Sequence, residues 1–446
     1  MKFIAKNMNY KKILIAVFFI ILFFGEIAIT FSFKGESGRN APVNEITPFS
    51  YKLTNKLSAD PSVKSVDSII TDFLARKKIK GASVAITKDS RLVYAKGFGW
   101  ADEEKGISVE PKNIFRIASV SKLITAVTIM KIAEEGRISI NDHVFGREGI
   151  LNDSIYLNYK DKRIEKITVL HLLNHTPGWN NRKEDPLFES VAIARKMHVE
   201  PPANIETVIQ YYLQQDLSYE PGTKYCYSNF GYAVLGKIIE KVTGMDYEDY
   251  VQFAILHPLG IYDMHIGKSS VEGRPENEVC YYVLGKDSRF YSVDGSGKSG
   301  SKVYSGNNME LLSAAGGWVA SAPELIKFIV AVDGFPEKPD ILSDESIETM
   351  TKTDRRTKKL IGWRGADGYG TWWRTGTLTG TSALIIRNRN GINWVVLMNT
   401  TTKGRSRIHN EMSKTMFNAV KSVKQWPEYD LFNYRDIEPA LAENNK

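Results

Sequence analysis

The chain has 446 residues, 43% hydrophobic and 25% charged, so it can bury a large core and is neither a disordered tail nor a multi-span membrane protein. Its formal net charge is +8, partly from lysines in the opening residues, and the remaining excess is too mild to imply a nucleic-acid partner. Two cysteines, Cys226 and Cys280, exclude a disulfide framework and a cysteine-rich zinc module.

Lys2, Lys6, Lys11 and Lys12 precede the apolar run Ile13–Phe24, which Gly25 and Glu26 interrupt. A basic stretch followed by a short apolar one is the pattern of a secretory signal. The run falls short of the ~20 apolar residues that a spanning helix needs. Residues 1–32 are therefore expected to be a signal peptide, or a membrane anchor through residues 13–33, since apolar residues resume as far as Phe33. Either one implies a periplasmic or extracellular protein. In that oxidising compartment Cys226 and Cys280 could pair or remain two thiols.

Residues 33–61 are polar and read as a linker. Val63–Lys78 carries Val66, Ile69, Ile70, Phe73 and Leu74 at helical spacing. Two β-rich runs, 82–87 and 92–95, flank a short polar turn and predict a hairpin. Helical patterns follow at 119–135, 165–174, 203–214, 229–243, 246–256, 322–333 and 406–424. Ser321-Ala-Pro-Glu324 is a capping box with proline in the first turn. Strand patterns return at 369–374, 381–388 and 392–399, and residues 426–446 read as a polar tail. Strands at both ends with helices between exclude simple βαβ alternation. They predict an α/β (α+β) fold: one antiparallel sheet from 62–118 and 320–425, flanked by helices, with an all-α insertion over 119–319. The long Gly/Ser-rich stretch 285–310 predicts a functional rim.

The chemistry centres on Phe115-Arg-Ile-Ala-Ser119-Val-Ser-Lys122. Ser119 opens an apolar helix, and positions i and i+3 share a face, so the Lys122 amine can reach the hydroxyl. A serine hydroxyl needs a neighbouring base, and a lysine near other cations and away from water can be one. The helix N-terminus favours negative charge at Ser119. Alone, the pattern more often describes an N-cap serine with a surface lysine. Two further segments change the balance: Tyr225-Cys-Tyr227-Ser-Asn229 before another helix, and Trp372-Trp-Arg374-Thr375-Gly376-Thr377 opening a strand hairpin.

Together these motifs, with Val169–Gly178, Glu220-Pro-Gly222 and Ala315–Ser321, resemble the penicillin-recognising serine hydrolase family in its Tyr-x-Asn branch. That branch holds class C β-lactamases, DD-peptidases and related esterases, and the resemblance spans about 62–424. It implies a serine β-lactamase/DD-peptidase-like fold and an acyl-enzyme mechanism that needs no metal or cofactor. Ser119 would be the nucleophile, with Lys122 and Tyr227 sharing the proton transfers. Asn229 would meet the substrate amide and help hold Lys122, while backbone N–H groups of Ser119 and Thr377 would form the oxyanion hole. Thr375 and Gly376 would line the substrate-binding strand edge. Arg374 stands where the family carries lysine or histidine; it keeps the charge and implies a substrate carboxylate. The expected substrates are small molecules or short peptides: D-amino-acid cell-wall peptides first, then carboxylic esters, then β-lactams. The alternatives are a class C-type β-lactamase and a non-catalytic penicillin-binding sensor or scaffold.

Other features read as structural. His171 and His175 have metal-ligand spacing, but Leu172 stands where a zinc protease needs glutamate, and Pro177-Gly178 ends the element. Gly297-Lys-Ser299 is a polar loop. Cys226 should face away from Tyr227. Of the aromatics Trp363, Trp372, Trp373, Tyr291 and Tyr304, only Trp372 or Trp373 is a candidate for the rim. Lys352, Arg355, Arg356, Lys358 and Lys359 read as a solvated basic loop, with attraction of anionic peptidoglycan fragments as the sharper option.

Overall fold

Two runs of alternating side chains separated by a tight turn fold as the first hairpin. The computed structural model describes residues 47–180, 185–285, 288–353, 359–402 and 405–436. Strand β1 (Gly81–Lys88) turns through Asp89 and Ser90 into β2 (Arg91–Asp102). Both turn residues have positive φ, the backbone twist that suits a tight hairpin. β3 (Ile107–Ser108) forms one edge. β4 (Ile114–Arg116), β5 (His265–Ile266) and β6 (Trp318–Ser321) make a small antiparallel sheet in the order β4-β6-β5. The late strands are β7 (Gly365–Ala366), β8 (Trp372–Leu378), β9 (Thr381–Asn388) and β10 (Ile392–Met398). They join the first hairpin in a seven-stranded sheet of order β7-β8-β9-β10-β1-β2-β3, with β1 paired to β10.

Helices cover both faces of this sheet, which explains why β1 is buried along almost its whole length. On one face Val84, Ile86 and Trp394 pack with Val66, Ile70 and Phe73 of α1 (Lys64–Lys77) and with late helical residues Met412 and Met416. On the other, Ala85, Ala95, Ile385 and Val395 belong to the larger core, which includes α2 (Ser121–Glu134), α3 (Val169–Leu173), α4 (Asn229–Thr243) and α5 (Ala322–Val330). Successive strand residues face opposite layers, so a single strand feeds both cores. α2 is buried on nearly every side, as a helix apolar all round must be. α6 (Asp344–Thr351) and α7 (Arg405–Ser422) complete the labelled elements.

The α/β fold with an antiparallel sheet built from both ends of the chain is the one the pattern predicts. Several elements differ from expectation. Residues 47–61, read as linker, lie against β2: Asn55 bonds Gly97 N and Val109 O, and Ser58 Oγ bonds Ala95. Their polarity serves the sheet edge. The start of the expected tail also packs, with Leu431 fully buried and Asp430 accepting from Leu92 N at 2.9 Å. The helix expected over 165–174 shortens to α3, because residues 162–166 form a 3-10 turn. The pattern gave no helix over Ser190–Met197 or α6. The expected capping box is half formed: Ser321 Oγ accepts from Glu324 N at 3.3 Å, but the Glu324 carboxylate turns to Asp263 N. Among the described residues no helix is long and apolar enough to cross a membrane, and the expected signal or anchor lies outside them.

Candidate active site

β4 leads directly to Ser119, which is half-buried. The chain leaves the strand through Ala118, whose φ of +49° is strained for a residue with a side chain, and enters a 3-10 turn that leads into α2. Ser121 clamps that turn, its Oγ donating to Ala118 O at 2.7 Å and accepting from Trp318 N at 3.2 Å. Lys122 lies on the same face as Ser119, as i and i+3 positions must, and is fully buried. Its Nζ contacts Ser119 Oγ at 3.4 Å, Asn229 Oδ1 at 2.6 Å and Ala315 O. Burial lowers the proton affinity of Lys122; Tyr227 opposes this and Arg374 reinforces it.

Tyr227 arrives from the segment before α4, where Ser228 caps the helix by accepting from Gly231 N at 2.9 Å. Tyr227 Oη lies 2.8 Å from Ser119 Oγ. Burial raises its pKa, but the charges of Lys122 and Arg374 and hydrogen bonds with Lys122 and Ser119 outweigh it and bring the phenol down to about 8. His175 backs the phenol, its ring 4.5 Å from that of Tyr227 and 5.0 Å from that of Tyr232. Its Nδ1 accepts from Ser228 N at 3.1 Å. Burial, then the charges of Arg374 and Lys122, hold this imidazole well below its usual pKa, hence neutral. His171 Nδ1 instead accepts from Thr168 N at the start of α3. Among the described residues no group of three or more His, Cys, Asp or Glu side chains could hold a metal. Cys226 and Cys280 are both free thiols.

Asn229 is held from two sides. Its Oδ1 accepts from Lys122, and its Nδ2 donates to Asp185 Oδ2 at 2.6 Å. Burial raises the Asp185 pKa against the hydrogen bonds of Leu187 N and Asn229 and the charge of Lys122.

β8 closes the site. Arg374 is 2% exposed; its Nε donates to Ser119 O at 2.7 Å and its Nη2 to Tyr227 Oη at 3.4 Å. The guanidinium holds the nucleophile's carbonyl and charges the phenol's surroundings. Gly376 lies so close to the Ser119 turn that a Cβ would stand 2.1 Å from Ile117 O. The absent side chain is what lets the strand approach. Thr375 and Thr377 alternate to the other face, where Thr377 Oγ1 sits 3.3 Å from His409 Nε2 of α7. The same ring nitrogen is 3.2 Å from Gly376 O.

The structure thus gathers Ser119, Lys122, Tyr227, Asn229, Arg374 and Gly376 at one place. Four further groups join them: Ala315 O, Asp185, His175 and His409. His175 and Ala315 stood in quoted motifs, Val169–Gly178 and Ala315–Ser321, but neither was singled out for a role at the site, and His175 was read as structural. Neither tryptophan candidate is a free rim residue: Trp372 packs on Trp363 and Arg387, and Trp373 joins the α1 side of the core. Tyr304 packs beside Tyr281, whereas Tyr291 is 75% exposed. Of the basic loop, Arg355, Arg356 and Lys358 lie outside the described residues.

The family model described as Beta-lactamase matches residues 66–414. The chain is 26% identical over 364 residues to Protein flp of Staphylococcus aureus (strain N315), covering 79% of this chain and 65% of that protein. It therefore spans just under two thirds of the length of these curated relatives. A putative D-alanyl-D-alanine carboxypeptidase of Salmonella paratyphi B is 27% identical over 191 residues, 40% of this chain and 41% of that one. Among solved structures, the octameric penicillin-binding protein homologue from Pyrococcus abyssi aligns with a TM-score of 0.60 at 26% identity, over 81% of this chain and 79% of that chain. With the matched region running through all three motifs and the sheet that carries them, the chain belongs to the Beta-lactamase family and has its serine-hydrolase fold.

Proposed function

We propose that this protein is an exported serine hydrolase that cleaves small amides or esters through an acyl-enzyme on Ser119. Tyr227 is the base. It is nearer Ser119 Oγ than Lys122 is, at 2.8 Å against 3.4 Å, and Lys122 Nζ lies closer to Asn229 Oδ1, at 2.6 Å, than to the serine. As phenolate, Tyr227 takes the hydroxyl proton while Oγ bonds to the scissile carbonyl carbon. The oxyanion is held by the backbone N–H groups of Ser119 and Thr377, and Tyr227 returns the proton to the departing amine or alcohol. Water then repeats the sequence and frees the acid. D-amino-acid cell-wall peptides are the first substrate class, in keeping with the carboxypeptidase name of the Salmonella relative, and carboxylic esters the second. Placement outside the cytoplasm rests on the basic and then apolar opening of the chain.

The observation that carries this reading is the hydrogen bond between a buried, acidified phenol and a serine hydroxyl. A fluorophosphonate probe tests it. Labelling of the protein, absent in Ser119→Ala, is the expected result. No adduct on either protein would return the chain to the binding-only alternative.

A further inference from the structure

His409 reaches β8 from the face that α7 covers and takes no part in the reaction above. Its neighbours on α7, Ile408 and Met412, are buried in the same core as Leu384 and Ile386 of β9, so the helix holds the ring in place. His409 Nε2 lies 3.2 Å from Gly376 O and 3.3 Å from Thr377 Oγ1. A carbonyl oxygen only accepts, so a ring nitrogen bonded to it carries the proton and donates. Burial lowers the pKa of this imidazole and the Gly376 carbonyl opposes the change, as an acceptor does.

Gly376 O and Thr377 N belong to one peptide group, planar and conjugated from oxygen to nitrogen. A donor on the oxygen polarises that group and strengthens the N–H at its other end. The same bond fixes the plane of the peptide and with it the direction of the N–H. The two donors proposed for the oxyanion hole are thus each held from behind. The Ser119 turn is clamped by Ser121 and Arg374, and the Gly376–Thr377 peptide is clamped by His409.

We propose that His409 is a positioning residue, which donates to the Gly376 carbonyl and so aims and strengthens the Thr377 N–H for the oxyanion of the substrate. This deepens the hydrolase reading and rests on it for the oxyanion. Phenyl butyrate and its thiono ester, whose sulfur is a poor acceptor in place of the carbonyl oxygen, read the hole directly. His409→Phe fills the space of the ring without the donor, whereas His409→Gln fits that space less well and brings an amide N–H. His409→Phe should lower kcat on phenyl butyrate about tenfold with little change in KM, short of the loss of about 10²–10³ for a donor removed outright. It should also lower the preference for the oxygen ester over the thiono ester, and His409→Gln should restore most of both. A Phe variant that keeps the wild-type preference, or loses both esters equally, overturns the role. If the wild-type protein turns over neither ester, the Ser119 reading falls, and amide NMR decides His409 separately. Labelling glycine carbonyls with ¹³C and threonine with ¹⁵N singles out the four Gly-Thr amides of the chain. One of them should move in His409→Phe and return toward its wild-type position in His409→Gln. Four signals that stay put, or that move alike in the two variants, overturn it.

Discussion

Asn229 donates to Asp185 at 2.6 Å, and this bond fixes which end of the amide faces Lys122. With Nδ2 committed to a carboxylate, Oδ1 must point at the ammonium. Asp185 also raises the proton affinity of Lys122. Asp185→Ala should lower kcat about tenfold with a smaller change in KM, because it frees the amide without touching substrate. It should also bring the alkaline limb of the pH profile to lower pH, since Lys122 then loses its proton sooner. Profiles of kcat/KM against pH for the two proteins check both effects.

The Tyr227 phenol titrates at about 8, and only its deprotonated form is a base. Below that pH the active fraction falls tenfold per unit, so kcat/KM on a neutral ester should rise through about pH 8. Tyr227→Phe should lose about 10²–10⁴ in kcat. A rate that stays flat from pH 6 to 9 would point to a different base.

Gly376→Ala places a methyl group 2.1 Å from the Ile117 carbonyl oxygen, against backbone that cannot swing aside. The strand must retreat, at a cost of about 1–3 kcal/mol or more. Thermal unfolding should show a lower Tm. Residual ester hydrolysis should fall further than stability alone explains, because the Thr377 N–H retreats with the strand.

Glu324 is fully buried, and burial followed by the nearby Asp263 charge pushes its pKa up to about 8. The sign of its pH effect follows. Between the ordinary carboxylate range and about pH 8 the unfolded chain releases this proton and the folded chain keeps it, so stability declines as pH rises. Glu324→Gln removes that dependence. Its Tm relative to wild type should improve between pH 5 and pH 8.5, and a difference that does not move with pH would refute the buried proton.

What could be read from the sequence was local. Ser119 and Lys122 follow from helical spacing, and Tyr227 and Asn229 from a short motif ahead of a capped helix. Ala315 opens a quoted segment, but it contributes a carbonyl oxygen, which every residue possesses, so its role could not be read from its side chain. Asp185 comes from a stretch with no motif, 44 residues before its partner. The bond from Arg374 to Ser119 O depends on how closely β8 approaches Ile117, a tertiary distance to which composition is blind. α6 escaped notice because Ile347 and Met350 are the only buried apolar residues in its eight, too few to display a period.

β1 lies between β2, its immediate successor, and β10, some three hundred positions downstream. During synthesis the first hairpin emerges with one long edge bare, and that edge stays bare until residues 392–398 have left the ribosome. A message truncated before codon 392 would therefore release a product with an open, apolar strand edge, prone to aggregate rather than to persist as an inactive enzyme.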